Sequence, residues 1–227
     1  MKSSYRFYRW CFRIARVLLG VIYGFGVKGR ENIPEGAVMI CANHSSIYDP
    51  IFIAFAFGIE NHVHIIAKAE LYKIPILSTI VKKLGAIRVD RGILDVNTVK
   101  ETFSYLNKGE RVAIFPEGTR RSVENAVAAK SGAIKIAEHA KVPIIPVFIP
   151  RKKPLFSKIS LVIGEPYLIE KSDIKRTPDD YAQLADVLMS KIEAMNPNSG
   201  KQVSNARGRG KRGAGVGFRV SSKTRGR

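Results

Sequence analysis

Residues 37–67 read AVMICANHSSIYDPIFIAFAFGIENHVHIIA. Ala37–Ala42 is a short uncharged apolar run of the kind found in a strand covered on both faces. Ile47–Phe57 is apolar almost throughout and fits a covered helix, and His62–Ala67 returns to strand character. A strand, a polar turn, a helix and a second strand in so short a space is the unit from which parallel sheets are built. The same alternation continues downstream. Leu71–Leu84 reads as a helix and Ala86–Val89 as a strand, and Asp95 is placed to cap a helix running to Asn107, with Gly109 ending it. Arg111–Phe115, Ile144–Ile149 and Ile159–Ile163 read as strands, with a helix from about Ala128 to Ala140 between the first two. A last amphipathic helix puts Leu184, Val187, Leu188 and Ile192 on one face. The expected fold is α/β, with a largely parallel central sheet covered by helices. No internal repeat is visible.

The chain has 227 residues, 45% of them hydrophobic and 25% charged. That composition is too apolar for a disordered chain and ample for one domain with a real core. Cys11 and Cys41 form no CxxC pair, which excludes a disulfide scaffold or zinc ribbon and favours a reducing compartment. The net charge of +19 is unevenly placed. Residues 1–30 hold seven Lys/Arg and residues 201–227 hold nine, with no acid in either segment, while the remainder sets 22 basic residues against 19 acidic ones. A nucleic-acid-binding domain spreads a basic stripe over its folded surface; here the surplus lies at the two ends.

The first of these ends carries a helical period. Phe7, Trp10, Cys11, Ile14, Val17, Leu18 and Val21 share one face, and Lys2, Arg6, Arg9, Arg13 and Arg16 share another. A spanning helix would bring Arg13 and Arg16 into the bilayer at about 2.5–3.5 kcal/mol each. Residues 1–30 are therefore expected to lie on an anionic membrane surface, each arginine adding about 1 kcal/mol there. Packing against the protein's own core is the alternative use of such a helix. A cleavable signal is not expected, since no small-x-small site follows the apolar part. The predicted domain boundaries are 1–30 for this helix, 31–199 for the α/β domain and 200–227 for a disordered Gly/Arg-rich tail, whose apolar content is too low to fold alone. That tail suits anionic lipid or RNA equally well.

The apolar framework is interrupted at four blocks. Asn43-His44-Ser45-Ser46-Ile47-Tyr48-Asp49-Pro50 follows the first strand. A carboxylate five residues after a histidine can return to the imidazole across a turn, fix its tautomer and stabilise the imidazolium formed when it takes a proton. A turn histidine without chemistry is the plainer reading of that pair alone. Activation of Ser45 or Ser46 as a nucleophile is a rival, though no G-x-S-x-G elbow supports it. Gly85-Ala86-Ile87-Arg88-Val89-Asp90-Arg91 and Phe115-Pro116-Glu117-Gly118-Thr119-Arg120 each end a strand, and Val142-Pro143-Ile144-Ile145-Pro146-Val147 reads as a proline-stiffened core strand. His62 and His64 share a strand face, but no third ligand at metal-site spacing accompanies them. His139 falls near a helix C-terminus, where a cation is favoured in any case.

In this order and spacing, from about Ile33 to Pro166, the four blocks resemble the NHxxxxDP, GxIxxxR, FPEGTR and VPIIPV motifs of the PlsC-type glycerolipid acyltransferases, the lysophosphatidate acyltransferases. The resemblance implies that His44 is a general base acting on a glycerol hydroxyl, that Asp49 orients it, and that no acyl-enzyme forms. It assigns the acceptor's phosphate to Arg91, Glu117, Gly118, Thr119 and Arg120, with Lys130 as a further candidate. Arginine suits that task because its planar fork makes paired hydrogen bonds, and a glycine lets backbone approach the ligand. Solvated surface charge is the plainer reading of Arg91 and Lys130. Arg121 and Ser131 depart from the common pattern of the family. No metal and no resident cofactor are implied: the acyl donor, acyl-CoA or acyl carrier protein, is a substrate. The implied partners are a lysophospholipid acceptor and an anionic membrane, and the implied location is the cytoplasmic face of that membrane. A basic nucleic-acid-binding or scaffold protein is the rival class, supported by net charge alone.

Overall fold

The computed structural model describes residues 2–90, 95–116, 123–170 and 175–197, with side chains except at 2–4, 77 and 123–130. The tail from residue 200 onward therefore lies outside the described residues. The elements run α1 (Lys2–Ile22), β1 (Gly24–Lys28), β2 (Val38–Ala42), α2 (Asp49–Phe57), β3 (Val63–Lys68), α3 (Pro75–Lys83), β4 (Ile87–Val89), α4 (Val96–Leu106), β5 (Arg111–Ile114), α5 (Val123–Ala140), β6 (Ile144–Phe148), β7 (Lys158–Ile163) and α6 (Pro178–Ala194). The strands form one sheet in the order β1-β7-β6-β2-β5-β3-β4. Every pairing is parallel except β6 with β7, in agreement with the expected largely parallel sheet.

β2 is the axis of the fold. All five of its residues are buried, and β5 and β6 flank it. Because successive side chains of a strand point to opposite faces, β2 feeds two cores. Val38, Ile40 and Ala42 meet Phe52, Phe55 and Leu19 from α2 and α1, while Met39 and Cys41 meet Ile134 and Ala137 of α5 and Leu188 and Ile192 of α6. Helices thus cover both faces of the sheet, as a parallel sheet requires.

Four local details differ from the sequence reading, the simplest being that α5 starts at Val123 rather than at about Ala128. The helix expected over Leu71–Leu84 divides into a 3-10 turn, Ala69–Lys73, and α3. Pro75 is the cause, because it lacks an N–H and its ring disfavours a helical residue before it, so Ile74 is extended at φ −89°, ψ 114°. β1 was not expected, since GFGVK has the two glycines that weaken a strand pattern. Gly26 is where the chains come close: a Cβ there would lie 2.9 Å from Ser160 Oγ on β7. α2 begins at Asp49 rather than Ile47, with Pro50 in its first turn, where a missing N–H costs no hydrogen bond. Asp95 caps α4 as read, its carboxylate accepting the Thr98 N–H at 2.8 Å.

α1 has three faces. Tyr8 and Leu19 are buried, and Phe12, Ala15 and Ile22 pack beside the core, with the Phe12 ring set edge-on to Phe55 at 5.2 Å. Of the seven-residue stripe read from sequence, Trp10, Ile14, Val17, Leu18 and Val21 remain exposed, while Phe7 and Cys11 are half-buried. The arginines occupy the sector beside that stripe. The helix thus packs on the core and keeps a separate apolar face. Among the described residues, no helix is long and apolar enough to cross a membrane.

Candidate active site

Chemistry-bearing residues are expected where parallel strands end, and the chain leaves β2 through such a turn. Asn43, wholly buried, donates from Nδ2 to the Ile149 carbonyl at 2.7 Å and accepts the Ile149 N–H on Oδ1 at 2.7 Å. This side chain acts as one more rung between the ends of β2 and β6, so the next residue, His44, starts from a fixed point.

Asp49 opens α2 and has no exposed surface. Its Oδ2 accepts the Ser45 and Ser46 N–H groups, each at 2.7 Å, and the His44 Nδ1–H at 3.0 Å. Its Oδ1 faces Lys153 Nζ at 2.9 Å, on a side chain only 6% exposed. Burial pushes this carboxyl upward, but the hydrogen bonds from His44, the Ser45 amide, Lys153 and the Ser46 amide outweigh it and hold Asp49 below the usual carboxylate range. An ionised carboxylate only accepts, so the Nδ1 of His44 carries a proton, and in the neutral form of the ring the lone pair is on Nε2. The His44 ring lies against Phe115, just beyond β5, at 4.3 Å between centroids.

The serines have a structural task. Their amides hold Asp49, and the Ser45 hydroxyl accepts from Lys153 at 2.7 Å. Accepting from an ammonium takes up one of the two lone pairs of the hydroxyl oxygen and draws electron density from it, which weakens it as a nucleophile. Ser46 Oγ accepts from the Tyr48 N–H at 3.3 Å.

Of the residues assigned from sequence, His44 and Asp49 meet as expected. Arg91, Glu117, Gly118, Thr119 and Arg120 lie outside the described residues; Lys130 falls in α5, and its side chain is outside the description. Sequence reasoning missed the roles of Asn43, Phe115 and Lys153. Asn43 at least stood beside His44, whereas Lys153 belongs to a run, Arg151-Lys152-Lys153, in which no pattern singles it out.

The second histidine pair serves elsewhere. His64 Nδ1 donates to the Gly85 carbonyl at 2.8 Å and its Nε2 meets the Glu110 carboxylate, while His62 Nε2 donates to the Leu84 carbonyl at 2.9 Å. These groups lie at the start of β3, the opposite end of the sheet from His44. Gly85 sits at φ +69°, and a Cβ there would come within 2.7 Å of His64 Nδ1, which accounts for the glycine of that block by packing.

Comparison with known proteins gives the family. The chain is 31% identical over 196 residues to the 1-acyl-sn-glycerol-3-phosphate acyltransferase of Bacillus subtilis, covering 83% of this chain and 96% of that one. It is 30% identical over 154 residues to the protein of the same name from Pseudomonas aeruginosa, covering 64% of this chain and 58% of that one. The crystal structure of the 1-acyl-sn-glycerophosphate (LPA) acyltransferase PlsC from Thermotoga maritima superposes with a TM-score of 0.56 at 26% identity, over 86% of this chain and 79% of that one. The acyltransferase family model matches residues 24–150, from the first residue of β1 to just past the Asn43–Ile149 clasp. The buried Asp49 and its imidazole thus lie within a matched span longer than half the chain, and the chain belongs to the acyltransferase family.

Proposed function

We propose that this acyltransferase moves an acyl group from a thioester, acyl-CoA or acyl carrier protein, to the free hydroxyl of 1-acyl-sn-glycerol-3-phosphate, at an anionic lipid surface. The observation that carries this reading is the His44–Asp49 pair at 3.0 Å; the names of the B. subtilis and P. aeruginosa relatives supply the acceptor. In the reaction, Nε2 of His44 takes the hydroxyl proton as the oxygen attacks the thioester carbonyl. The tetrahedral intermediate then collapses, breaking the carbon–sulfur bond, and the imidazolium returns its proton to the leaving thiolate. Asp49 holds the tautomer and the developing imidazolium throughout. Arg91, Arg120 and Lys130 are assigned to the acceptor's phosphate, with Glu117, Gly118 and Thr119 shaping that site. The exposed stripe of α1 and its arginines support the lipid-surface part of the proposal.

The test is thioester release with lysophosphatidate as acceptor. His44→Ala is expected to lower turnover at least about a hundredfold, the usual worth of a positioned base, with the fold retained although Asp49 loses one donor. Ser45→Ala and Ser46→Ala are expected to stay active. Turnover in His44→Ala close to that of the unaltered protein, or an acyl group trapped on either serine, would refute the mechanism.

A further inference from the structure

The loop between β6 and β7 looks both inward and outward. Inward, it delivers Lys153 to Asp49 and Ser45. Outward, the next residues but one are Leu155, 68% exposed, and Phe156, 81% exposed. Phe156 also sits at φ +61°, a conformation that suits glycine and strains a bulky side chain. A large aromatic held in water at such a position is unfavourable twice over: the backbone is strained and the ring gains nothing by burial. The sequence tolerates both, so the exposed ring has a use outside the folded chain.

Its neighbours indicate which use. The Phe156 N–H donates to the Ile22 carbonyl at the end of α1 at 2.9 Å, and the Gly24 N–H donates to the Ser157 carbonyl at 3.1 Å. The loop is therefore fastened to the end of α1 where Val17, Leu18 and Val21 stand exposed. Both segments are basic: residues 149–163 contain Arg151, Lys152, Lys153 and Lys158 and no acid, and residues 1–30 contain no acid either. In the fold Arg151 pairs with Glu193 and Lys153 is buried against Asp49, which leaves the exposed Lys152 and Lys158 beside Leu155 and Phe156; apolar side chains next to such positive charge complement an anionic phospholipid surface.

We propose that Leu155 and Phe156 form a second lipid-inserting point, beside α1, on the same loop that holds the catalytic pair. This rests on the reading of the chain as an acyltransferase of lipid surfaces. With Lys153 clamped on Asp49 and Phe156 two residues past Pro154, the loop sets the position of the His44–Asp49 pair relative to the bilayer that carries the acceptor.

Trp10 is the chain's single tryptophan, so Trp10→Phe combined with Phe156→Trp gives a full-length protein that reports on position 156 alone. With vesicles of phosphatidylcholine and phosphatidylglycerol, its emission is expected to shift to the blue and to be quenched by lipids brominated on the acyl chain. Phe156→Gly separates insertion from folding. Glycine relieves the backbone, so this variant is expected to unfold no lower than the unaltered protein while binding the same vesicles about tenfold more weakly, as loss of one buried aromatic predicts. Protein that sediments with vesicles while the emission at position 156 stays as in buffer would overturn the insertion and leave the acyltransferase reading standing. Dimerisation through Phe156 without lipid contact would also overturn it. Insertion at position 156 with no thioester release would instead refute the proposed reaction.

Discussion

Asp49 is a buried charge whose compensation comes from two directions. Three donors to Oδ2 lie within five residues of it, and the fourth partner, Lys153, arrives from more than a hundred residues away. Removing one partner of a buried pair strands the other, at a typical cost of about 3–5 kcal/mol. Lys153→Met is accordingly expected to lower stability by about 3 kcal/mol, at the low end because the local donors remain, as read by denaturant unfolding. In the double variant with Asp49→Asn the loss should be smaller than the sum of the two single losses, since the stranded charge is gone; strict additivity would show that the pair contributes nothing. This division also explains what could be read from the chain. His44 and Asp49 are a local pair, and local spacing carries them. Asn43 and Lys153 act through contacts with Ile149 and Asp49 that exist only once β2 and β6 are side by side, and no residue pattern encodes such a meeting.

At the scale of elements, α1 is held by more than its apolar face. Tyr8 lies 4.1 Å from the His62 ring, with Tyr5 farther off at 6.3 Å, and Arg9 pairs with Glu60 at 3.5 Å. Burial, reinforced by the neighbouring His64, lowers the pKa of His62, against the opposing pull of its bond to the Leu84 carbonyl and of Glu110. A histidine kept neutral in the folded state binds fewer protons than it does unfolded. Its cost is absent above the unfolded value of about 6.5 and grows as pH falls from there toward the lower folded value. Stability should therefore decline between about pH 7 and pH 5, and His62→Gln should flatten that part of the curve when denaturant midpoints are compared. An identical slope in the variant would remove His62 from the account. The elements themselves were largely legible, because covered strands and capped helices are written in contiguous residues. β1 was not, since its identity as a strand comes from its partner β7, and the break before α3 turned on the single residue Pro75.

At the scale of the molecule, positive charge is segregated to the ends, and the two ends differ in kind. α1 joins charge to an exposed apolar face, whereas residues 201–227 carry nine Lys/Arg with few large apolar side chains. Charge without apolar contact is screened within about 8 Å at physiological salt. Deletion of residues 201–227 is expected to leave thioester release in detergent micelles nearly unchanged, while Trp10→Asp with Ile14→Asp should release the protein from anionic vesicles at physiological salt. Vesicle binding that survives the aspartates and disappears with the tail would reverse this assignment, and tight RNA binding by the tailless protein would restore the nucleic-acid reading.

The sheet order has a further consequence for how the chain is made. Among the described residues β1 pairs only with β7, so on a ribosome β1 must wait for β7, more than a hundred residues later. At common translation rates the interval is on the order of ten seconds. Throughout it, Leu19 and Phe12 lack part of the cover they will have in the finished core, to which Ile159, Leu161 and Ile163 of β7 belong. A nascent chain in that state has apolar side chains on more than one side of α1, and contact with a lipid surface during synthesis would shield them until Ile163 emerges and the sheet can close.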